Sequence, residues 1–151
     1  MPDDVGLALL SEVLDQRIGT YVKRLEQLII GAKTAELRPL DITVPQYAAL
    51  LTIKHLQPSS AAQLARSGLG APQSIATMLN NLENKGLIER QTSPIHQKLI
   101  EIRLTDLGTD TVNKADDLAA GIERKLRKAI GEELFESLVK IEQITARHLQ
   151  V

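Results

Sequence analysis

Cysteine is absent from the 151 residues, which excludes disulfide frameworks, thiol-based redox sensing and cysteine-containing zinc sites. Histidine is scarce. His55, His96 and His148 are scattered, with no HxxH or HExxH spacing to set two imidazoles on one helical face, so neither a metal nor a cofactor is expected. Aromatic side chains make up 2% of the chain, in Tyr21, Tyr47 and Phe135, too few for the stacking platforms that hold single-stranded nucleic acid. No apolar run reaches the roughly 18 residues of a membrane span. The N-terminal MPDDVGLALL is acidic before its apolar stretch, unlike a secretory leader, and a soluble, cytoplasmic protein with no membrane partner is expected. GxSxG, P-loop, GxGxxG and paired-carboxylate arrangements are all missing, so no catalytic residues are expected and the chain does not read as an enzyme. A net charge of −1 removes any global basic signal for nucleic acid; residues 40–108, with six Lys/Arg against five Asp/Glu, are the only segment with a positive balance.

What is present is ordinary globular composition, 43% hydrophobic and 25% charged, in a chain the length of one domain. Between Val5 and Ile30 the residues Leu7, Leu10, Leu14, Ile18, Tyr21, Leu25 and Leu28 recur every three or four positions, predicting one long helix with a stripe that needs a partner. Pro39 ends it. Thr43 with Gln46, and Ser60 with Gln63, are capping-box signals that open two further helices, the second closed by Gly68. A third helix runs from Ala71 to Lys85, with Pro72 in its first turn and Gly86 as terminator. Two short strands follow, Gly86–Gln91 and Leu99–Thr105, joined by a tip around Pro94. Thr105 then caps a long helix broken at Gly131, and a last helix carries Leu134, Leu138, Ile141 and Leu149 on one side.

Two short helices joined by a glycine-containing turn and followed by a β-hairpin are the sequence form of a winged helix-turn-helix. The runs ITVPQYAALLTI, SAAQLARSGLGAPQSIATMLNNLENKGLIER and IEIRLTDLG together resemble the MarR family of bacterial transcription regulators over about residues 42–108. The resemblance rests on Thr-x-Pro-Gln-aromatic, Gln-Leu-Ala, Leu-Glu-x-Lys-Gly-Leu-Ile and Leu-Thr-x-x-Gly. It implies a mainly α fold with a small β-hairpin wing, in one domain: a DNA-binding lobe at 40–105 between dimerisation helices at 1–39 and 106–151. It also implies a homodimer on a pseudo-palindromic double-stranded DNA site, repression as the commoner mode of regulation, and release by a small aromatic or phenolic ligand. The bottom-up reading agrees that amphipathic helices at both ends of the chain need a partner, a second copy or else an intramolecular helical layer.

On the helix 71–85, Ile75, Leu79 and Leu82 share one face, and Gln73, Thr77, Asn80, Asn81 and Asn84 the other, with no Lys or Arg before Lys85. Amide side chains match the adenine edge, so an A·T-biased half-site is expected, read by Gln73 and Thr77 with Ser74 on a phosphate. Ser60 and Arg90 are further DNA candidates. At the wing tip the family usually carries Asp then Arg; here His96, Gln97 and Lys98 stand there. Lys98 with Gln97 as a groove or phosphate contact, a bland surface turn, and His96 as a pH-sensitive phosphate contact remain open. Arg124–Lys128 reads as a solvated flank, with phosphate contact the alternative. For a ligand in the cleft that the resemblance implies, Tyr21 and Tyr47 offer a ring and a hydroxyl, and Arg17 or His55 a carboxylate partner. The rival function is a winged-helix dimer that has lost DNA affinity and serves as a protein-interaction module.

Overall fold

In the computed structural model, residues 2–149 are described, and the chain order is α1 (Pro2–Leu14), α2 (Ile18–Leu37), a 3-10 turn at Arg38–Leu40, α3 (Val44–Leu56), α4 (Ala61–Arg66), α5 (Pro72–Asn84), β1 (Ile88–Thr92), β2 (Ile100–Leu104) and α6 (Asp106–Leu149). Local chemistry accounts for most of these boundaries. Both capping boxes form: Gln46 N–H donates to Thr43 Oγ1 at 3.3 Å while Gln46 Oε1 accepts from Thr43 N–H at 3.0 Å, and Ser60 and Gln63 repeat the exchange. Each box satisfies two N–H groups that a helix start leaves without partners. Gly68 (φ 84) and Gly70 (φ 137) turn the chain between α4 and α5, in backbone regions that side chains disfavour.

The long N-terminal helix expected over Val5–Ile30 is in fact two. Arg17 is extended (φ −101, ψ 129) and starts α2 without a side-chain cap. Asp15, Ile18, Gly19 and Thr20 are all weak helix formers, and no proline marks the place. Asp15 pairs with Arg24 at 2.9 Å across the break. At the other end of the chain, α6 is interrupted at Gly131 (φ 78, ψ 170), where the break was expected. Arg127 clasps that kink, bonding Glu132 at 2.6 Å and lying 3.5 Å over the Phe135 ring centroid.

The buried core joins Leu37, Leu50, Ile53, Leu64, Ile75, Leu79, Leu82, Ile88, Ile102 and Val112, so the lobe packs on the end of α2 and the first half of α6. Beyond Ala119 no described residue of α6 is buried. The wing strands pair antiparallel with Arg90 opposite Ile102 and Thr92 opposite Ile100. Their bounds lie a residue or two from the expected ones; β1 starts late because Gly86 (φ 70) and Leu87 finish α5, Leu87 N–H returning to Leu82 O at 3.0 Å. Ser59 adds an unforeseen third edge, exchanging hydrogen bonds with Ile102 at 3.1 and 2.7 Å. One joint ties α5, wing and α6 together. Leu87 O accepts from Thr105 N–H at 3.1 Å, Thr105 Oγ1 donates to Gly86 O at 2.6 Å, and Gly108 N–H donates to Thr105 Oγ1 at 2.9 Å.

A Cβ on Gly108 would stand 1.8 Å from Leu87 O, whereas one on Gly121 meets nothing nearer than 3.9 Å. Gly108→Ala is therefore expected to cost about 3 kcal/mol or more. Gly121→Ala should stabilise by up to about 1 kcal/mol. Urea unfolding midpoints at one fixed protein concentration check both.

Candidate nucleic-acid interface

Helix α5 begins at Pro72 after an extended Ala71 that supplies no side-chain cap. The N–H groups of its first turn thus point outward unpaired by a capping side chain, at the positive end of the helix dipole. Ile75, Leu79 and Leu82 are buried on the core, which turns Gln73, Ser74, Thr77, Asn80, Asn81 and Asn84 to the surface. Thr77 Oγ1 donates to Gln73 O at 3.2 Å, leaving its oxygen free to accept and its methyl exposed. Ser74, Thr77 and Asn81 also line an open groove against Thr43 and Pro45 at the start of α3. Ser60 is half-buried at the start of α4, its oxygen engaged as a cap, so only its O–H remains to donate.

The wing tip is organised by Ser93, which is buried. Its hydroxyl oxygen accepts from the N–H groups of Ile95 and His96 at 3.4 Å, Ser93 N–H donates to Leu99 O and Leu99 N–H to His96 O, both at 2.8 Å. This leaves His96, Gln97 and Lys98 exposed at the end of the hairpin. Nothing in the composition of the tip marked Ser93 as its anchor; a Ser two and three residues before the bonded N–H groups is the local signal that would have done so.

Positive charge around α5 is mostly tied up. Arg90 does not stand out as a free phosphate contact. From β1 its guanidinium lies on α5, Nη2 donating to Asn80 Oδ1 and Nε 3.1 Å from Glu83 Oε2. Lys85 closes on the carbonyl and carboxylate of Asp41, and Arg103 pairs with Glu101 at 3.2 Å. Lys98 has no ion-pair partner among the described residues.

The four ligand candidates lie on different elements. Arg17 opens onto a depression with Leu14, Lys23, Arg24 and Gln27, Tyr21 is exposed on α2 with Arg24 over its ring at 5.7 Å, and His55 is exposed at the end of α3. Tyr47 packs against the core, its hydroxyl donating to Asp116 Oδ1 at 2.7 Å. Burial, the bond to Asp116 and the charges of Asp116 and Glu123 hold that hydroxyl well above the ordinary tyrosine range. A separate open pocket of about 580 Å³ lies between α2 and α6, lined by Ile29, Leu126, Ile130, Phe135 and Leu138 together with the charged Glu123, Arg124, Arg127 and Lys128; none of the four lines it. None of the helices is long and apolar enough to cross a membrane among the described residues.

Residues 42–98 match the sequence model of the MarR family. Among solved structures, the transcriptional repressor CouR bound to a 23-mer DNA duplex is 24% identical with a TM-score of 0.79, covering 88% of this chain and 94% of that one. CouR bound to p-coumaroyl-CoA is 25% identical, with a TM-score of 0.78 and coverage of 89% and 94%. A variant of MarR from E. coli complexed with operator DNA is 21% identical, with a TM-score of 0.77 and coverage of 85% and 92%. The organohalide-sensing regulator RdhR in its 2,4-dichlorophenol-bound form is 22% identical, with a TM-score of 0.79 and coverage of 89% and 80%.

The Tyr47 environment makes a pH prediction. Its folded-state pKa lies above the ordinary 10.0, so the unfolded chain ionises first, and the stabilisation present below pH 10 is lost as pH rises beyond it. Tyr47→Phe should cost about 1 kcal/mol at pH 7 and flatten the alkaline loss. Unfolding free energies of both proteins measured from pH 7 to 11 check the crossing of the two curves.

Proposed function

We propose that this chain, whose residues 42–98 match the sequence model of the MarR family, is a homodimeric regulator of transcription of that family that reads a pseudo-palindromic site in double-stranded DNA. The observation that carries this reading is the division of α5. Its apolar side is consumed by the core, and its amide and hydroxyl side faces outward beside an ordered wing. In that geometry Gln73 and Thr77 read base edges, Ser74 and Ser60 donate to phosphates, and Lys98 with Gln97 follows the backbone or minor groove from the wing tip. Arg90 supports α5 rather than adding a phosphate contact of its own. The fold of the repressor CouR on DNA and of E. coli MarR on its operator supports the mode of docking.

Dimerisation is supported by the apolar surface outside the lobe. Leu7, Leu10, Val22, Leu25 and Leu28 on α1 and α2, and Leu134, Leu138, Ile141 and Leu149 on α6, are all exposed in the single chain. So many exposed large apolar side chains on helices are more than scattered single residues on a soluble monomer, and a second copy would cover them with the same surface. Repression, and release by a small aromatic or phenolic compound, complete the proposal; the p-coumaroyl-CoA-bound and 2,4-dichlorophenol-bound relatives support a ligand of that class. Arg17, Tyr21, Tyr47 and His55 are the residues proposed to meet it.

A second reading, a protein-interaction module, is favoured by one observation. Arg90, Lys85 and Arg103 are each paired with a carboxylate, so only Lys54, Arg66 and Lys98 of the lobe's six Lys/Arg have no ion-pair partner among the described residues. Selection of sites from a random duplex library, followed by affinity against salt, separates the two. An A·T-biased pseudo-palindrome is expected. With it, Lys98→Ala should weaken binding to every sequence alike and reduce the slope of log K against log salt by about one unit per lobe. No enriched site from folded dimer at low salt would favour the interaction module.

A further inference from the structure

The wing tip presents an aliphatic side chain at a place where the core does not use it. Ile95 is 82% exposed, more than any other large hydrophobic side chain among the described residues. The wing's buried isoleucines, Ile88 and Ile102, lie nearer the lobe, beyond the pairing of Thr92 with Ile100 that ends the ladder. Ile95 is nonetheless held in place. Its N–H donates to the oxygen of the buried Ser93, and Pro94 fixes the backbone between the two. A second turn follows at once, Leu99 N–H closing on His96 O at 2.8 Å with Gln97 and Lys98 as its central residues. From Gln91 to Leu99 the tip holds no Asp or Glu.

We infer that Ile95 is an apolar wedge for the minor groove beside the major groove that α5 reads: on DNA it packs on the deoxyribose walls, leans into one base step and bends the duplex. The inference rests on the DNA-binding reading above and deepens it. The minor groove is about 6 Å wide, walled by sugar carbons and rimmed by phosphates. A tip with an aliphatic apex and no carboxylate matches that surface in both respects. Lys98, with no ion-pair partner among the described residues, meets the phosphate rim, and the Gln97 amide can donate to the adenine N3 and thymine O2 acceptors of the floor. Apolar side chains inserted between base steps from this groove, isoleucine among them, unstack the step and kink the duplex toward the major groove. Pyrimidine–purine steps yield most easily, so Ile95 selects such a step without a hydrogen bond to any base. Its contribution is separable from that of Lys98, because burying an aliphatic side chain releases water and no counterions.

Site selection, affinity against salt and gel-phasing measurement of DNA bending test this with the full-length wild type, Ile95→Ala, Ile95→Leu and Lys98→Ala, each first shown folded and dimeric by thermal unfolding and sedimentation. So exposed a side chain can be truncated with little effect on the unfolding midpoint. On the best wild-type duplex, Ile95→Ala should weaken binding about tenfold per lobe and reduce the bend, with the slope of log K against log salt unchanged. Lys98→Ala should lower that slope instead, and Ile95→Leu should keep most of the wild-type affinity and bend. The wild type should select a pyrimidine–purine step at one position in each minor-groove contact, and Ile95→Ala should lose that preference while the positions read by α5 keep theirs. An Ile95→Ala protein with wild-type affinity, bend and selected site overturns the inference while DNA binding stands. So does a loss of affinity accompanied by a lower salt slope, which marks a disturbed Lys98 and no wedge. No enriched site for the wild type overturns the DNA-binding reading and the inference with it.

Discussion

The close passage of the Leu87 carbonyl over Gly108 holds the lobe in its shape. At that point the end of α5, the first wing strand and the start of α6 come within hydrogen-bonding reach of one another, with Thr105 bonded to both Gly86 and Leu87. A side chain at position 108 would occupy the place of the carbonyl. Because α5 and the wing leave the same joint, the angle between them is set there, and with it the spacing between the amide face of α5 and the tip carrying Lys98. The Arg90 contacts to Asn80 and Glu83 brace the same two elements a few residues further out. The proposed recognition by α5 and the wing together would depend on this rigidity, since a mobile wing would lose binding energy to its own ordering.

A second constraint acts at the scale of the whole chain. The core closes around the lobe and fades along α6 after Ala119, while the apolar stripes of α1, α2 and the far half of α6 remain open. The folded lobe and the exposed apolar helices are thus distinct parts of one chain, linked through the end of α2 and the first half of α6. In the proposed homodimer, the helical layer would govern the separation of the two lobes. α6 meets α3 where Tyr47 bonds Asp116, which fixes the lobe to the first half of α6.

The parts of this fold that could be read from the chain are those specified locally. Thr43 with Gln46, Ser60 with Gln63, Pro72 and Gly86 each act within one turn of where they stand, and each does what its chemistry predicts. The amphipathic division of α5 is legible for the same reason, because a period of 3.6 sorts Ile75, Leu79 and Leu82 from Gln73 and Thr77. The break at Arg17 is not, since weak helix formers without a proline give no sharp signal. Neither is the third edge at Ser59, whose partner Ile102 lies far along the chain. The site is less legible than the fold. Arg90 reads as a free cation until its position opposite Glu83 and Asn80 is known, and charge counted along a sequence says nothing of which charges cancel in space.

Sequence-specific docking of α5 by a dimer is most directly tested by hydroxyl-radical footprinting of the protein on its best-enriched duplex. Two lobes reading successive major grooves should leave two equivalent protected patches, about 10 base pairs or a multiple of it apart, on one face of the duplex. A single patch, or cleavage left uniform at saturating protein, would contradict a symmetric pair of recognition helices on DNA.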